Sequence, residues 1–138
     1  MKKSLNILIF TALLGAVGCT QQPTATIEGT ITEAKDKTLY LDYLGISQTS
    51  VRDSVKLNDK GSFHFQVPAP ECFDFYRLRV DKEAIYLSVD STETLHIEAA
   101  LPTMGNAYQV EGSEDNIILK QLVLKQGKLQ NEIRQSQQ

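Results

Sequence analysis

The feature that most constrains the fold is a series of short runs, from residue 26 to residue 110, in which apolar and polar residues alternate. Alternation with a period of two is typical of β-strands that bury one face. The runs follow one another at intervals of 10 to 12 residues and are separated by turn-forming residues. This spacing predicts an all-β protein, an antiparallel β-sandwich of about seven or eight strands over residues 26–112. The predicted strands are 26–32, 38–43, 51–57, 62–67, 72–80, 84–89, 94–99 and 108–110.

The clearest turn signal is the sequence Asn-Asp-Lys-Gly at residues 58–61. Glycine adopts a positive φ without strain, and Asn and Asp side chains bond to nearby backbone in turns. The turn stands between the predicted strands 51–57 and 62–67. We therefore expect these two strands to pair as a hairpin.

The alternation ends at residue 112, and residues 113–135 have the pattern of a helix. Ser113 suits the N-cap, and the acidic pair Glu114 and Asp115 suits the positive end of the helix dipole. Gly127 interrupts the pattern and costs about 1 kcal/mol relative to alanine. One face carries a stripe of four apolar residues at spacings of 4, 7 and 4, namely Ile118, Leu122, Leu129 and Ile133. Such a stripe needs cover, from the sandwich, a second copy of the chain or a further domain. Residues 136–138 form a polar tail.

The first residues have the pattern of a targeting segment. Lys2 and Lys3 precede an apolar run, Leu5 to Val17, which is too short for a helix that crosses a membrane but fits the apolar region of a signal peptide. The run ends at Gly18-Cys19, and the chain then becomes polar. We predict a signal peptide over residues 1–18 and a tether over residues 19–25.

The residues Ala16-Val17-Gly18-Cys19 resemble the lipobox of bacterial lipoproteins, with alanine in place of the usual leucine. In that family the cysteine receives a diacylglycerol, the peptide is cut before it, and its amino group is acylated. The resemblance implies that Cys19 is the lipidation site and that the chain is held on a membrane by several acyl chains, which anchor stably where one does not. The alternatives are an ordinary secreted protein and an uncleaved anchor.

Neither an acidic run nor an aspartate follows Cys19 directly. The expected location is therefore the cell envelope of a Gram-negative bacterium, with the protein lipid-anchored on the outer membrane and facing the periplasm. From Cys19 onward the chain has 12 basic and 17 acidic residues, a net charge of about −5. This charge argues against binding to nucleic acid, which favours a basic surface.

If Cys19 carries lipid, Cys72 has no cysteine partner within the chain. Free cysteine is among the most buried residue types, so the first expectation is that Cys72 is a small buried side chain. An intermolecular disulfide and a free, reactive thiol are the alternatives.

No residue pattern in the chain indicates catalysis, a metal or a cofactor. His64 and His96 each stand between two inward-facing residues and are expected to point outward, without the further ligands of a metal site. Asp53 and Ser54 are adjacent, but a catalytic triad is defined by geometry, and we expect this pair to cap the edge of the predicted hairpin. The remaining carboxylates stand at turns and strand ends without the spacing of an acid–base pair: Asp74, Asp81, Glu83 and Asp90.

The aromatic side chains allow two interpretations. They could form an exposed aromatic platform, or they could pack in the core and against neighbouring strands, which is the simpler interpretation. The residues concerned are Tyr40, Tyr43, Tyr76, Tyr86 and Phe73.

The order of several short motifs resembles an uncharacterised β-domain of a known family. That domain stands at the N terminus of thioredoxin-like (TlpA/AhpC-type) thiol-disulfide oxidoreductase lipoproteins of Bacteroidetes. The resemblance covers residues 25–135, and no single motif is diagnostic. Its parts are Gly29 with Ile31, Leu39–Leu41, Asp53-Ser54, Gly61 with Phe63 and Phe65, Tyr76 with Leu78, and residues 110–116 before the helix.

In the longer family members a thioredoxin fold with a Cys-x-x-Cys motif follows the helix. This sequence has no such motif, so the resemblance assigns redox activity to none of its residues. It implies a non-enzymatic accessory domain that positions or binds a thioredoxin-like partner. The apolar stripe adds a second possibility for partners, self-association through the C-terminal helix. The alternatives are a truncated N-terminal part of a thiol-disulfide oxidoreductase and a β-sandwich that binds a small ligand or glycan.

Overall fold

The computed structural model describes residues 20–137, which form two four-stranded sheets and one helix. The predicted all-β sandwich with a C-terminal helix is confirmed. The predicted signal peptide, residues 1–18, and the lipidation site Cys19 lie outside the described residues. The strands are β1 (Thr24–Thr32), β2 (Thr38–Leu44), β3 (Thr49–Lys56), β4 (Ser62–Pro68), β5 (Asp74–Val80), β6 (Glu83–Val89), β7 (Thr94–Ala100) and β8 (Gln109–Glu111), and the helix is α1 (Glu114–Ser136).

The first sheet has the strand order β4-β1-β7-β8, and the second sheet has the order β3-β2-β5-β6. Neighbouring strands are antiparallel, as predicted, except for β1 and β7, which run parallel. The core lies between the sheets and consists of the inward-facing residues of both. Fully buried examples are Ile27, Leu39, Leu78, Ile85 and Ile97. Burial of each such side chain contributes about 1.5–3 kcal/mol to the free energy of folding. The inward-facing residues of the alternating strands therefore hold the two sheets together.

The predicted hairpin of strands 51–57 and 62–67 is wrong. β3 pairs with β2, and β4 pairs with β1, so the turn at residues 58–61 joins the two sheets. The turn itself forms as expected, because Gly61 has a φ of 69° and its N–H donates to the carbonyl of Asn58 at 3.0 Å. On the side of the second sheet, Leu57 N donates to Lys37 O at 2.9 Å. On the side of the first sheet, Ile31 N donates to Gly61 O at 2.9 Å. Local turn chemistry reverses the chain, but burial of both strands against different neighbours decides the pairing.

The helix α1 contacts β6 and β8, which are edge strands of the two sheets. Ser113 is its N-cap, with extended backbone and no capping bond from the side chain. Asn116 is buried and bonds to both backbone groups of Ser88 in β6, with Ser88 N–H donating at 2.8 Å and Asn116 Nδ2 donating to Ser88 O at 2.7 Å. This side chain closes part of the open edge of β6. From Lys125 to Gln137 every side chain is exposed. Within residues 20–137, no helix combines the length and the hydropathy needed to cross a membrane.

Candidate functional site

The outer face of the second sheet carries a buried charge that the sequence analysis did not identify. Along β5 the residues Tyr76, Leu78 and Val80 face the core, so Arg77 and Arg79 face outward. The register of β2 against β5 places Asp42 opposite Arg77 and Tyr40 opposite Arg79. We call Tyr40, Asp42, Arg77 and Arg79 the polar centre.

The carboxylate of the polar centre is held by both arginines. Arg77 donates from Nε and Nη2 to Asp42 Oδ2 at 2.9 and 2.7 Å. Arg79 donates from Nε to the same oxygen at 2.9 Å and from Nη2 to Oδ1 at 3.3 Å. The guanidinium of Arg79 also lies over the Tyr40 ring, 4.5 Å from its centroid. Asp42 is only 1% exposed, whereas the side chains of Arg77 and Arg79 are 27% and 31% exposed.

These contacts fix the charge state of the polar centre. Burial by itself would raise the pKa of Asp42, but the hydrogen bonds from Arg79 and Arg77 outweigh it and lower the pKa below the ordinary value. The hydrogen bond that Arg79 donates to Asp42 in turn raises the pKa of Arg79. The centre therefore holds two cations around one anion. Its hydrogen bonds join β2 to β5, and its geometry is not that of an acid–base pair.

Beside the polar centre, an apolar groove runs between α1 and the outer face of the second sheet. It consists of two cavities of about 420 and 410 Å³, and Phe75 and Leu119 line both. Phe73 and Phe75 are 59% and 42% exposed and meet edge to face, with ring centroids 5.4 Å apart. We call this the aromatic groove; its apolar residues are Leu44, Phe73, Phe75, Tyr86, Ile118, Leu119, Leu122 and Val123. Contiguous exposed apolar surface of this kind marks interaction sites in soluble domains.

The sandwich covers the predicted apolar stripe of the helix only in part, because Ile118 and Leu122 line the aromatic groove while Leu129 and Ile133 line neither of its cavities. Its residues, Ile118, Leu122, Leu129 and Ile133, are between 49% and 60% exposed. The helix turns a different side toward the sheets, on which Asn116 is buried and Leu119, Val123 and Leu124 are partly buried. The sandwich is therefore not the whole cover of the stripe, and a second copy of the chain and a further domain stay as alternatives. We keep the name helix stripe for these four residues.

Cys72 is exposed and lines the aromatic groove, so the interpretation as a buried side chain is wrong. It lies in the connection between β4 and β5, before the first residue of β5, Asp74, and thus outside the alternation that buries strand residues. Intermolecular disulfide formation and a reactive thiol stay as predictions for this residue.

Both histidines point outward, as predicted. His64 Nδ1 lies 3.0 Å from Glu28 Oε2, and His96 Nε2 lies 3.6 Å from Glu98 Oε1, all on the exposed outer face of the first sheet. Among residues 20–137, no three side chains of His, Cys, Asp or Glu come together as ligands for a metal ion.

The predicted capping pair lies in the edge strand β3, where Ser54 N–H donates to Asp53 Oδ1 at 2.7 Å; the hairpin that it was expected to cap is absent.

The four scattered carboxylates have separate partners. Asp74 accepts a bond from the Tyr43 hydroxyl at 3.2 Å, and Asp81 pairs with Lys37. Glu83 accepts from Gly105 N at 2.8 Å, and Asp90 accepts from the Ser91 hydroxyl at 2.9 Å. Each of these four carboxylates therefore bonds to a different partner, and none bonds to another of the four.

The aromatic residues divide between packing and exposure. Tyr76 is buried and meets Tyr43 edge to face at 5.6 Å, and Tyr40 lies beneath Arg79. The packing interpretation is confirmed for these three tyrosines. Tyr86 and Phe73 are exposed in the aromatic groove.

The family model described as a domain of unknown function, DUF4369, matches residues 25–119. The chain belongs to this family. The match covers both sheets of this DUF4369 domain and the first residues of α1, including Asn116 and Leu119, so the polar centre and most of the aromatic groove lie within it.

A solved structure described as the crystal structure of (S)-allantoin synthase resembles the DUF4369 domain only weakly. The TM-score is 0.40 and the sequence identity is 7%, over 67% of this chain and 45% of that structure. The chain thus spans less than half the length of that structure, and the likeness is too low to carry an argument. A search of curated proteins returned no match.

Proposed function

We propose that this DUF4369 domain is a non-catalytic accessory domain of the cell envelope that binds a protein partner in its aromatic groove. The observation that carries the proposal is the exposure of Phe73, Phe75 and Tyr86 beside an apolar helix surface. The sequence resemblance to the accessory domains of thiol-disulfide oxidoreductase lipoproteins suggests the partner class, a thioredoxin-like protein.

The chemistry of the groove supports binding to a protein. Aromatic side chains that lie in a water-excluding pocket provide most of the energy of many interfaces. Covering the exposed halves of Phe73 and Phe75 would supply about 1 kcal/mol each, since complete burial of such a side chain contributes about 1.5–3 kcal/mol. Asp90 and Asp115 also line the groove and favour a partner with basic residues at its rim.

The polar centre supports the same proposal by holding the sheet beneath the groove. Asp42 ties β2 to β5, and these strands carry Leu44 and Phe75 of the groove. A binding surface that is fixed before the partner arrives loses less conformational entropy on association. In this proposal the arginines act on the shape of the groove and do not take part in chemistry.

The predicted lipid at Cys19 would place the groove close to a membrane. Between Cys19 and the first residue of β1, Thr24, the chain spans at most about 18 Å, since an extended residue covers about 3.3–3.6 Å. Pro23 O accepts a bond from Ala69 N at 2.9 Å, and the segment after Ala69 leads to Cys72 and Phe73. The anchor and one end of the groove would therefore stand near the same side of the domain, which suits a partner at the same bilayer surface.

Site-specific photo-crosslinking tests this function. A photo-reactive phenylalanine analogue replaces Phe73 in the full chain, in the cells that make the protein, and the adduct is identified by mass spectrometry. The matched control is the same analogue at His64, which is exposed on the outer face of the first sheet. We expect an adduct with a thioredoxin-fold protein at position 73 and not at position 64. Equal adducts at both positions, adducts only with a second copy of the chain, or none at all would contradict the proposal.

The alternative of a glycan-binding sandwich has less support. It depended on a platform of tyrosines, and Tyr40, Tyr43 and Tyr76 are occupied by packing. The alternative of a truncated oxidoreductase stays a prediction.

A further inference from the structure

The aromatic groove is elongated and runs along α1. Its cavity of about 410 Å³ is lined by residues of α1 from Asp115 to Leu122, and its cavity of about 420 Å³ by residues from Leu119 to Gln130. At 1.5 Å per residue, the distance from Asp115 to Gln130 along the helix is about 22 Å. This length holds about six or seven residues of extended chain, since each covers about 3.3–3.6 Å. The shape of the groove therefore suits an extended segment of a partner.

The end of the groove that contains Phe73 is acidic. Asp90 and Asp115 line the cavity at this end, and both side chains are exposed. Burial is the main cause that raises the pKa of Glu93, in the turn between β6 and β7, and the charges of Asp90 and Asp115 raise it further. The three carboxylates therefore lie close together. Among the described residues that line this cavity, none is basic.

The other end of the groove lies beside the polar centre and is basic. The register of β5 against β6 places Arg77 opposite Tyr86, which lines the groove, and Arg79 opposite Ala84. Both arginines belong to the polar centre, which holds two cations and one anion and so keeps a surplus of positive charge. Their side chains remain partly exposed on the outer face of the second sheet.

Two lysines extend the basic end. A further cavity of about 600 Å³ adjoins the groove, because Tyr86 and Gly127 line both. Lys82 and Lys128 line this further cavity. Glu83 lines it as well, but its carboxylate already accepts a hydrogen bond at 2.8 Å from a backbone N–H of the loop after β7. Positive charge at this end thus comes from β5, from the turn between β5 and β6, and from α1.

We propose that the aromatic groove binds an extended segment of its protein partner that is basic at one end, apolar in the middle and acidic at the other end. The basic end of the segment lies beside Asp90 and Asp115. Its acidic end lies beside Arg77, Arg79 and Lys128. The charges fix the direction of the segment, because a reversed segment would bring like charges together. This inference rests on the proposed function and specifies the part of the partner that the groove recognises.

Selection from a peptide library tests the charge pattern. Residues 20–138 contain all eight strands, α1 and the buried core, so this part of the chain is used, with Cys72→Ser to prevent disulfide capture. Random peptides of about ten residues, long enough to span the groove, are displayed on phage and selected on it. We expect the selected peptides to have Lys or Arg at one end, Asp or Glu at the other, and apolar residues between. Selected peptides without this separation of charge, or no selected peptides, would overturn the inference.

Two matched pairs of charge reversals assign the ends of the segment. Lys128→Glu acts at the basic end, and Lys125→Glu makes the same change at a residue of α1 that lines neither the groove nor the adjoining cavity. Asp115→Lys acts at the acidic end, with Glu114→Lys as its control. All four side chains are exposed, so the variants should keep the fold, which circular dichroism checks.

Fluorescence anisotropy with a labelled selected peptide measures the affinity at about 0.15 M salt, where distant charges are screened. We expect Lys128→Glu and Asp115→Lys to weaken binding about three- to tenfold, because each replaces an attraction with a repulsion, and the controls to weaken it less than about twofold. A peptide whose acidic residues are replaced by glutamine should not respond to Lys128→Glu. Equal effects within either pair would overturn the inference.

The outcomes separate this inference from the proposed function. A thioredoxin-fold adduct at position 73, together with peptides that respond equally to both members of each pair, would overturn the charge pattern and leave the function. Charge-separated peptides that respond as expected, together with no adduct at position 73, would contradict the function and support the charge preference of the groove.

Discussion

The outer faces of the two sheets differ although their strands have the same alternating pattern. On the first sheet, Glu28 pairs with His64 and His96 with Glu98, and all four side chains are 39–65% exposed. On the second sheet, the carboxylate of Asp42 is buried between two arginines, and an apolar groove runs beside them. The first face is a solvated surface, and the second has the features of a structured site.

The difference shows that polar residues at alternate strand positions do not by themselves define a solvated face. Exposed ion pairs contribute about 0–1 kcal/mol, and their loss changes little. A buried charge is stable only while its partners are present. We therefore expect the outer face of the first sheet to tolerate substitution of its charged residues and that of the second sheet not to. The reason is that α1 and the arginines cover only the outer face of the second sheet.

The largest expected effect comes from removing the buried carboxylate. Asp42→Ala leaves two half-buried guanidinium groups without their counter-ion. Removing one partner of a fully buried pair costs about 3–5 kcal/mol, and we expect about 2–3 kcal/mol here because the arginines keep some contact with water. Urea unfolding measures the change, with Glu28→Ala on the first sheet as the control at about 0.5 kcal/mol or less. Equal losses for the two variants would remove the distinction between the faces.

The link between α1 and the second sheet gives the next effect. Asn116→Ala removes two hydrogen bonds to Ser88 and leaves the N–H and carbonyl of an edge strand without their partners. We expect a loss of about 1–3 kcal/mol in the free energy of unfolding, together with weaker protection of Ser88 N–H in hydrogen exchange. Asn131→Ala, in the exposed half of the same helix, is the control and should change neither quantity measurably. Unchanged exchange at Ser88 in Asn116→Ala would contradict the role of this side chain.

A smaller effect should appear at acid pH. The pKa of Asp42 is lower in the folded protein than its ordinary value of 3.8, so the folded state binds this proton less readily than the unfolded state. The stabilisation is complete above that value and is lost as the pH falls below it, through the folded pKa. Asp42→Asn removes this contribution. The difference in unfolding free energy between the two proteins should therefore narrow from pH 5 toward pH 2, and a constant difference would contradict the lowered pKa.

The smallest effect concerns the exposed half of α1. Gly127 has no atom within 4 Å of the position that a Cβ would occupy, so nothing nearby requires glycine. Gly127→Ala should increase helix content and stabilise the chain by up to about 1 kcal/mol, measured by circular dichroism on heating. Gln130→Ala is the matched control with a change of a few tenths. A destabilised Gly127→Ala would indicate that this position is in close contact with something that the single chain does not contain.

The sequence predicted the strands and their buried faces because burial of one face requires alternation. Residues such as Leu78 and Ile97 lie where that pattern placed them. The pairing of β3 and β4 was predicted wrongly, since the turn at residues 58–61 is compatible with a hairpin and with a crossing between sheets alike. Only contacts between distant strands distinguish the two.

The candidate site was harder to predict for the same reason. Asp42 appears in the sequence as an ordinary outward-facing residue of β2, and Arg77 and Arg79 appear as outward-facing residues of β5. Their spacing of two is a weak signal that both point the same way. The signal becomes specific only when β2 is known to pair with β5. The helix stripe was predicted correctly as four residues on one face, but its exposure depends on which side of α1 meets the sheets.

In the proposed function, a partner covers the outer face of the second sheet in the cell, and the outer face of the first sheet stays in water. Hydroxyl-radical footprinting of the protein in the cells that make it, compared with the purified chain, tests this most directly. We predict that Phe73, Phe75 and Tyr86 are oxidised several-fold less in the cells, and that His64 and His96 are oxidised equally in both samples. Equal oxidation of Phe73, Phe75 and Tyr86 in both samples, or protection of both faces alike, would contradict the claim.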